Sequence, residues 1–397
     1  MQLRRPASYL LAIALIASLP AAAQPRRVLH VSLYPYIPDP SAAALTLKQG
    51  FERTHPDVIV DITLNRNYYS PKPEDRGVLS EVADVHEIDG IFLPDFLAAH
   101  RLQPPGMALA GAFTPLARRA ATYAGQPWAV PHWMCADFLI YRADKAALAN
   151  VRTLAQLQSA FAQDHGLLLD MTGQGQLGEL YLASLLASIG QPTAFVLSHL
   201  SATPDPAILK RLAAILALEP AGMGRNAAYG GAESFYARQF ARRVGSAFVG
   251  YSEMTHEVLD ETAKACRIED RCVTADQLRV TALPFADGTI RPAVWVDMFG
   301  IDAKLHGKTL TDARAFIAYA VSLPAYRALL IPEPGDIPRY LLPATNAAFD
   351  DPAIQQAAPL YPEFRSILEQ GVVVTAPHLN ASLREAGVHI DAVLPGR

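Results

Sequence analysis

Cys135 is the residue of this sequence whose type and surroundings most suggest chemistry. It lies in an aromatic-rich stretch, QPWAVPHWMCADFLIYRADK, which covers residues 126–145 and has the composition of a buried strand followed by a charged turn. A thiol attacks as the thiolate and therefore needs a base nearby. The alternative interpretation is a buried, inert cysteine that packs as a small apolar side chain.

Three residues are candidates for that base. His132 and Asp137 are close to Cys135 in sequence, and Glu253 follows a second apolar strand, GSAFVGY, at residues 245–251. Side chains an odd number of positions apart on a regular strand face opposite sides, which argues against His132. Asp137 shares the face of Cys135, but a neighbour two residues along a strand seldom reaches back. Glu253 has the alternative of simply starting a helix, because acidic residues favour first turns.

The cysteine count separates Cys135 from the other two cysteines. Cys266 and Cys272 flank a short polar segment and are close enough in sequence to close a small loop. Residues 1–23 have the positive start, the apolar core and the small residues of a secretory signal peptide, so we expect export to the periplasm or beyond. That compartment is oxidising, and we therefore expect Cys266 and Cys272 to be joined and Cys135 to be free.

Length and composition indicate an ordinary globular protein. The chain has 397 residues, 51% of them hydrophobic and 18% charged, with a net charge of −4. This length favours two domains, and the acidic balance disfavours a nucleic-acid partner and suits a cationic small molecule. We also expect no membrane helix and no metal site, because no long apolar run and no typical Cys/His spacing occurs. No cofactor is expected, and the protein is expected to be a monomer.

The order of the predicted elements is that of an α/β protein. A strand at residues 28–33, a helix at 41–53 and a strand at 58–64 form a unit typical of a parallel sheet. Further strands are predicted at residues 82–91, 126–145, 245–251, 277–283 and 293–301. Further helices are predicted at residues 92–100, 153–161, 179–189, 207–218, 234–243 and 311–322, with a largely helical tail from 341. Gly173, Gly175 and Gly178 are predicted to form a flexible turn, not a dinucleotide-binding loop.

This order resembles the periplasmic-binding-protein-like fold of the second type. The marks of the resemblance are Phe51-Glu52 before His55-Pro56, the strand from Asp84 to Asp89, Pro131 ahead of Leu139-Ile140-Tyr141, and AFVGY at 247–251. It implies two α/β lobes, residues 24–134 and 292–342 forming lobe 1 and residues 135–291 and 343–397 forming lobe 2. Cys135 would then lie at the first crossing between the lobes, on the floor of the cleft where ligands of two-domain proteins bind.

Several stretches resemble thiaminase I, also called thiamine pyridinylase. They are LYPYIPDP at 33–40, IDGIFL at 88–93, PHWMCADFLIYR at 131–142, FVGYSE at 248–253 and YLLPA at 340–344. The resemblance implies that Cys135 is the nucleophile and Glu253 its general base. It further implies substrate-binding roles for Tyr34, Tyr69, Asp89, Tyr251, Asp297 and Trp295. Trp295 departs from the pattern, since a tyrosine is expected there, and a further expected tyrosine aligns with either Phe235 or Tyr236.

The activity implied by this resemblance is cleavage of thiamine at its methylene bridge. A covalent Cys–pyrimidine intermediate would form, and the pyrimidine-methyl group would pass to pyridine, an amine or a thiol. Two other functions remain open. A non-catalytic solute-binding protein for thiamine or a related heterocycle would have the same fold and aromatic cleft but no need of Cys135 or Glu253. A carbohydrate-binding protein is the third possibility, because tyrosine and tryptophan faces also stack on sugars.

Overall fold

A computed structural model describes most of the chain. The described residues are 25–66, 68–69, 77–189, 193–200, 203–220, 222–226, 233–265, 272–286 and 288–394. The predicted signal peptide at residues 1–23 and Cys266 lie outside these ranges. Among the described residues, none of the helices combines the length and the hydropathy that a transmembrane span requires.

The strands are short, and most of them are buried. They are β1 (Arg27–Leu33), β2 (Val58–Leu64), β3 (Val85–Asp89), β4 (Leu102–Gln103), β5 (Thr122–Tyr123), β6 (Gln126–Pro127), β7 (Val130–Cys135), β8 (Phe138–Arg142), β9 (Leu167–Leu168), β10 (Ala247–Gly250), β11 (Leu278–Thr281), β12 (Trp295–Asp302) and β13 (Leu342–Pro343).

The helices alternate with the strands and predominate in the last quarter of the chain. They are α1 (Pro40–Thr54), α2 (Leu93–Ala98), α3 (Pro115–Ala120), α4 (Leu154–Phe161), α5 (Gln174–Ile189), α6 (Thr193–Leu200), α7 (Pro206–Leu216), α8 (Glu233–Ala241), α9 (Met254–Ala265), α10 (Gly307–Ala320), α11 (Leu323–Leu330), α12 (Asn346–Phe349), α13 (Pro352–Ala357), α14 (Tyr361–Leu368) and α15 (Leu379–Val393). Short 3-10 helices cover Gly90–Phe92, Ala146–Asn150 and Ala275–Gln277.

Two sheets form the scaffold. The larger has the strand order β13-β7-β12-β3-β1-β2, with β4 paired to β12, and the smaller has the order β11-β8-β10-β9. Strand β1 runs parallel to both β2 and β3, which confirms the predicted strand–helix–strand unit. Strand β12 runs antiparallel between β3 and β7. The predicted boundaries of the two lobes stay a prediction.

The aromatic-rich stretch at residues 126–145 was predicted to be one continuous strand, and this prediction was wrong. The stretch instead supplies strands to both sheets. Strand β7 belongs to the larger sheet and β8 to the smaller, and only Ala136 and Asp137 connect them. The apolar run is long because both halves are buried, each in a different sheet. The chain therefore leaves the larger sheet immediately after Cys135.

The centre of the larger sheet is buried along its whole length. All five residues of β3 and all eight of β12 are buried. Strands of this kind are normally apolar, because an ionised carboxylate without a partner is costly to bury. Asp89, the last residue of β3, and Asp297, near the start of β12, therefore stand out, and both lie at the end of the sheet where Cys135 is found.

Candidate active site

Cys135 ends β7 and lies directly opposite Trp295 on β12. Its thiol is free, as predicted, and is partly exposed. Cys272 is in a disulfide bond, and its predicted partner, Cys266, lies outside the described residues. Trp295 is buried beside the thiol, so the predicted substrate-binding tryptophan contributes an apolar surface at this edge of the sheet.

One face of the larger sheet carries the acidic residues of the site. Asp297 on β12 pairs directly with Asp89 on β3. Paired residues of an antiparallel ladder share a face, as do residues two positions apart on one strand. Cys135, Trp295, Asp297 and Asp89 therefore all point to the same side of the sheet.

Two tyrosines border this acidic face. The Tyr34 hydroxyl donates to the Tyr69 hydroxyl at 3.5 Å, and Tyr69 in turn donates to Oδ2 of Asp89. Their rings are perpendicular, with centroids 6.3 Å apart. The half-exposed ring of Tyr36 packs on both, with centroid distances of 5.3 and 5.4 Å. This chain of hydroxyls fixes the Asp89 carboxyl and leaves aromatic surface around it.

The smaller sheet supplies Glu253 and Tyr251. Both follow β10 and precede α9, and Glu253 is buried, with its Oε2 3.3 Å from the donating Ser252 hydroxyl. The Tyr251 hydroxyl donates to Oε2 of Glu179 at 2.8 Å. Glu179 lies on α5 and was not predicted as a site residue. Its only sequence signal was an acidic residue next to Gly178, and the fold is what brings it to Tyr251.

Burial and negative charge raise the pKa of the Cys135 thiol well above its ordinary value. Burial is the largest cause, followed by the charges of Asp297, Glu253, Asp89 and Glu179. Asp89 and Asp297 lie on the larger sheet, Glu253 follows β10 of the smaller sheet and Glu179 lies on α5. The structure therefore brings the predicted catalytic pair and the predicted aspartates to one site. At neutral pH the thiol therefore holds its proton, and a base is required to form the thiolate.

The two facing aspartates also hold protons more tightly than usual. Burial raises the pKa of Asp297 well above its ordinary value, and the charges of Asp89, Glu87 and Glu253 add to it. Burial raises the pKa of Asp89 as well, against hydrogen bonds from the Ile91 backbone and Tyr69 that lower it. Because like charges on paired residues disfavour double ionisation, the pair keeps a proton to a higher pH than ordinary carboxyl groups do and can serve as an acid.

His132 lies on the same face as Cys135, because it reaches Glu87, which is two positions before Asp89 on β3. The expectation from a regular strand was therefore wrong. On β7, Trp133 pairs with Asp297 and Pro131 pairs with Met298. His132 lies between them without a partner on β12 and is therefore the extra residue of a β-bulge. Nδ1 of His132 is hydrogen-bonded to Oε1 of Glu87. His132 is thus committed to a buried carboxylate and not to the thiol.

Comparison with known proteins identifies relatives along nearly the whole chain. No protein-family model matches it. Thiaminase-1 of Paenibacillus thiaminolyticus is 25% identical over 386 residues, which cover 92% of this chain and 89% of the relative. The structure of thiaminase I from Bacillus thiaminolyticus superposes with a TM-score of 0.75 at 24% identity, covering 93% of this chain and all of the other. The chain has the fold of thiaminase I.

Other solved structures show how widely this fold is used. Thiaminase I of Clostridium botulinum, in complex with thiamin, has a TM-score of 0.70 at 18% identity and covers 92% of this chain and 99% of its own. A solute-binding protein of an ABC transporter from Agrobacterium vitis, with bound D-mannitol, has a TM-score of 0.65 at 17% identity and covers 93% of both chains. The predicted fold class, a two-lobed periplasmic-binding-protein-like α/β fold, is confirmed. Thiaminase I and solute-binding proteins share this fold, so the residues of the site must distinguish the two functions.

Proposed function

We propose that the chain is an exported transferase that cleaves thiamine in the manner of thiaminase I. The observation that carries the proposal is the free thiol of Cys135 at the crossing between the sheets, in electrostatic reach of Glu253. Similarity to Thiaminase-1 over 92% of the chain supports the same conclusion. A protein that only binds its ligand has no use for a free thiol in its binding site, because an oxidising compartment exposes that thiol to oxidation.

The charges and rings of the site match thiamine. Thiamine joins an aminopyrimidine through a methylene group to a cationic thiazolium ring. The four carboxylates that act on Cys135 favour a cation, and the faces of Tyr34, Tyr69 and Trp295 suit flat rings. Binding of the cation offsets the negative charge around Cys135 and makes its thiolate easier to form.

Activation of the nucleophile requires Glu253 in this proposal. The raised pKa of Cys135 keeps the thiol protonated at neutral pH, so Glu253 takes the proton as the thiol approaches the substrate. The sulfur then bonds to the pyrimidine carbon next to the methylene-bearing position. The displaced electron pair moves to a ring nitrogen, which takes a proton from the Asp89 and Asp297 pair.

Breakdown of this adduct completes the reaction. The ring electrons return, the bond between the methylene carbon and the thiazolium nitrogen breaks, and neutral thiazole leaves with that bond's electron pair. A nucleophile such as pyridine, an amine or a thiol then bonds to the exposed methylene carbon. The ring nitrogen returns its proton to the aspartate pair, and cleavage of the carbon–sulfur bond releases the substituted pyrimidine. The sulfur leaves with the bond's electron pair and takes back the proton from Glu253, which restores the Cys135 thiol.

A non-catalytic carrier for thiamine is the second candidate function. It is favoured by one observation, the close structural likeness to a solute-binding protein with bound D-mannitol. A carrier of thiamine would use the same acidic and aromatic surfaces but would be indifferent to Cys135. A carbohydrate carrier is less favoured, because four carboxylates around one point suit a cation better than a neutral sugar.

We propose the periplasm or the extracellular space as the location and a monomer as the functional form. The signal-like composition of residues 1–23 supports export, and the disulfide bond of Cys272 fits an oxidising compartment. A small-molecule substrate pair, thiamine and a nucleophilic acceptor, needs no protein partner.

Incubation of the purified protein with thiamine and pyridine tests the proposal. We expect free thiazole and the pyridine adduct of the pyrimidine-methyl group, both separable by chromatography. The control is Cys135→Ser, which we expect to bind thiamine in calorimetry while releasing no thiazole. Tight binding of thiamine by the wild type without any thiazole would support the carrier instead.

A further inference from the structure

A buried hydrogen-bonded pair, Glu87 and His132, lies beneath the candidate active site. Glu87 is in the middle of β3 and His132 in the bulge of β7, and both are almost fully buried. Oε1 of Glu87 is hydrogen-bonded to Nδ1 of His132. The charge of Glu87 adds to the raised pKa of Asp297, but neither residue of the pair bonds to substrate or exchanges a proton in the proposed chemistry.

The second oxygen of Glu87 holds a cleft tyrosine. Oε2 accepts from the backbone N–H of Tyr34 at 3.1 Å. Tyr34 is the first residue after β1, and its hydroxyl begins the hydrogen-bonded chain through Tyr69 to Asp89. One carboxylate therefore links the end of β1 to the strand that carries Cys135.

The bulge itself is fixed from several sides. The carbonyl oxygen of His132 accepts from the hydroxyl of Tyr326 at 2.6 Å and from the backbone N–H of Ala344 at 3.0 Å. The imidazole ring packs between Trp133 and Phe299, with ring centroids 4.0 and 4.7 Å away. These contacts keep the extra residue of β7 at position 132.

The position of a bulge decides which way the following side chains point. Because side chains alternate along a strand, a shift of one residue moves every later side chain to the other face. Cys135 is only three residues beyond the bulge. If the extra residue moved past Cys135, the thiol would leave the face that carries Asp89 and Asp297.

We propose that Glu87 and His132 are positioning residues that hold the β7 bulge and Tyr34 in place and thereby direct Cys135 into the cleft. The effect on turnover rests on the proposed function, whereas the direction of the thiol does not. The pair acts through Cys135 and Tyr34 and contacts no substrate.

Alkylation of Cys135 over a range of pH tests this inference in the folded protein. Iodoacetamide is the probe, and peptide mapping by mass spectrometry confirms the modified residue. In His132→Leu we expect the midpoint of the pH profile to fall, because the thiol moves away from the carboxylates that raise its pKa. We expect kcat/KM for thiamine to fall roughly ten- to a hundred-fold, as misplaced catalytic groups do.

Two variants separate positioning from a general loss of stability. His132→Gln keeps a donor for Glu87 and is expected to restore most of the wild-type profile. His86→Leu is the matched control, because His86 is a buried histidine on β3 that is 3.6 Å from Oδ2 of Asp302, away from the cleft. We expect it to change the melting temperature but not the alkylation midpoint.

A milder pair of variants applies if His132→Leu does not fold. Tyr326→Phe removes one donor to the bulge carbonyl, and Tyr361→Phe removes an equally buried bond, to the Leu341 carbonyl at 2.8 Å. We expect only the first to lower the alkylation midpoint. A wild-type midpoint in folded His132→Leu, or in Tyr326→Phe where that variant is used instead, overturns the inference. Alkylation needs no thiamine, so this result is independent of whether the protein cleaves it.

Discussion

Asp297 lies directly opposite Asp89 where β12 pairs with β3, and both carboxyl groups are buried. Burial raises the pKa of each, and in the Asp297 carboxyl the charge of Asp89 adds to the effect. The pair therefore keeps a proton in the folded protein at a pH where unfolded carboxyl groups have lost theirs. This arrangement supplies an acid for the proposed reaction and also makes the fold sensitive to pH.

The first prediction concerns stability against pH in Asp297→Asn. The folded pair binds more protons than the unfolded chain above the ordinary carboxyl pKa of about 4. Its contribution is complete below that pH and is lost as pH rises through the raised pKa. We expect the decline in unfolding free energy above about pH 4 to become shallower in the variant, measured by urea denaturation.

Asp302→Asn provides the control for that experiment. Its hydrogen bond with His86 is the largest cause of the lowered pKa of Asp302, so this carboxyl titrates below the range in question. We expect its slope above about pH 4 to match that of the wild type. An Asp297→Asn slope that also matches the wild type would mean that the aspartate pair is ionised throughout.

The second prediction concerns the base. Glu253→Gln keeps the size of the side chain but cannot accept a proton, so we expect kcat to fall about a hundred-fold or more with little change in thiamine affinity. Because the pKa of Cys135 is well above its ordinary value, the deficit should persist across neutral pH and shrink only in alkaline solution. The measurement is thiazole release against pH. The control is Glu257→Gln in α9, where Glu257 is ion-paired with Arg238, and we expect it to behave as the wild type. If both variants are equally active, Glu253 is not the base, and Asp137 is the next residue to test.

The third prediction concerns substrate binding. Tyr69→Phe removes the hydroxyl that lowers the pKa of Asp89, which should then bind a cation less well. We expect thiamine affinity to weaken about five-fold, equivalent to about 1 kcal/mol for one hydrogen bond. Calorimetry in a Cys135→Ser background prevents turnover during the titration. The control, Tyr36→Phe, loses the hydrogen bond to the Arg66 carbonyl and should bind thiamine normally. Equal affinities in the two variants would mean that Asp89 does not bind thiamine.

The fourth prediction concerns the thiols. We expect Cys266 and Cys272 to be joined, since Cys272 is in a disulfide bond and Cys135 is free. Thiol titration of the denatured, unreduced protein should give one free group for each chain, rising to three after reduction. A bridge that contains Cys135 would contradict both the pairing and the proposed nucleophile.

The sequence allowed the main features of the fold and of the site to be predicted. The alternation of apolar runs and amphipathic segments predicted β1, α1 and β2 and the parallel pairing of the two strands. The proximity of Cys135 and Glu253 was predicted from family resemblance. In the structure Cys135 ends β7, and Glu253 lies between β10 and α9, where its charge acts on the thiol. Local patterns and motif order are sufficient for features of this kind.

The bulge at His132 could not be predicted, because distant residues hold it. Glu87 is 45 positions away from His132 in sequence, and Tyr326 is 194 positions away. A rule based on regular alternation therefore placed His132 on the wrong face. The same limit explains why Glu179 was missed, since its relation to Tyr251 depends on a contact 72 positions apart.

Local sequence patterns also gave wrong predictions for a glycine-containing segment and for the start of a helix. The predicted flexible turn contains Gly175 and Gly178, yet both lie within α5. A Cβ atom on Gly178 would be only 2.0 Å from the Leu383 carbonyl oxygen of α15, so this glycine permits close contact between two helices. Helix α1 begins at Pro40, one residue before the predicted start at residue 41, because proline suits the first helical position.

Mass measurement of the protein after incubation with thiamine tests the central claim most directly. Without an added acceptor, we expect wild-type chains to gain the mass of one pyrimidine-methyl group on the peptide that contains Cys135, with release of free thiazole. Cys135→Ser should bind thiamine and gain no mass. The same measurement is repeated with pyridine present and with thiamine at a saturating concentration. If the wild-type protein stays unmodified and the thiamine stays intact in both, the account is contradicted and the protein is a carrier.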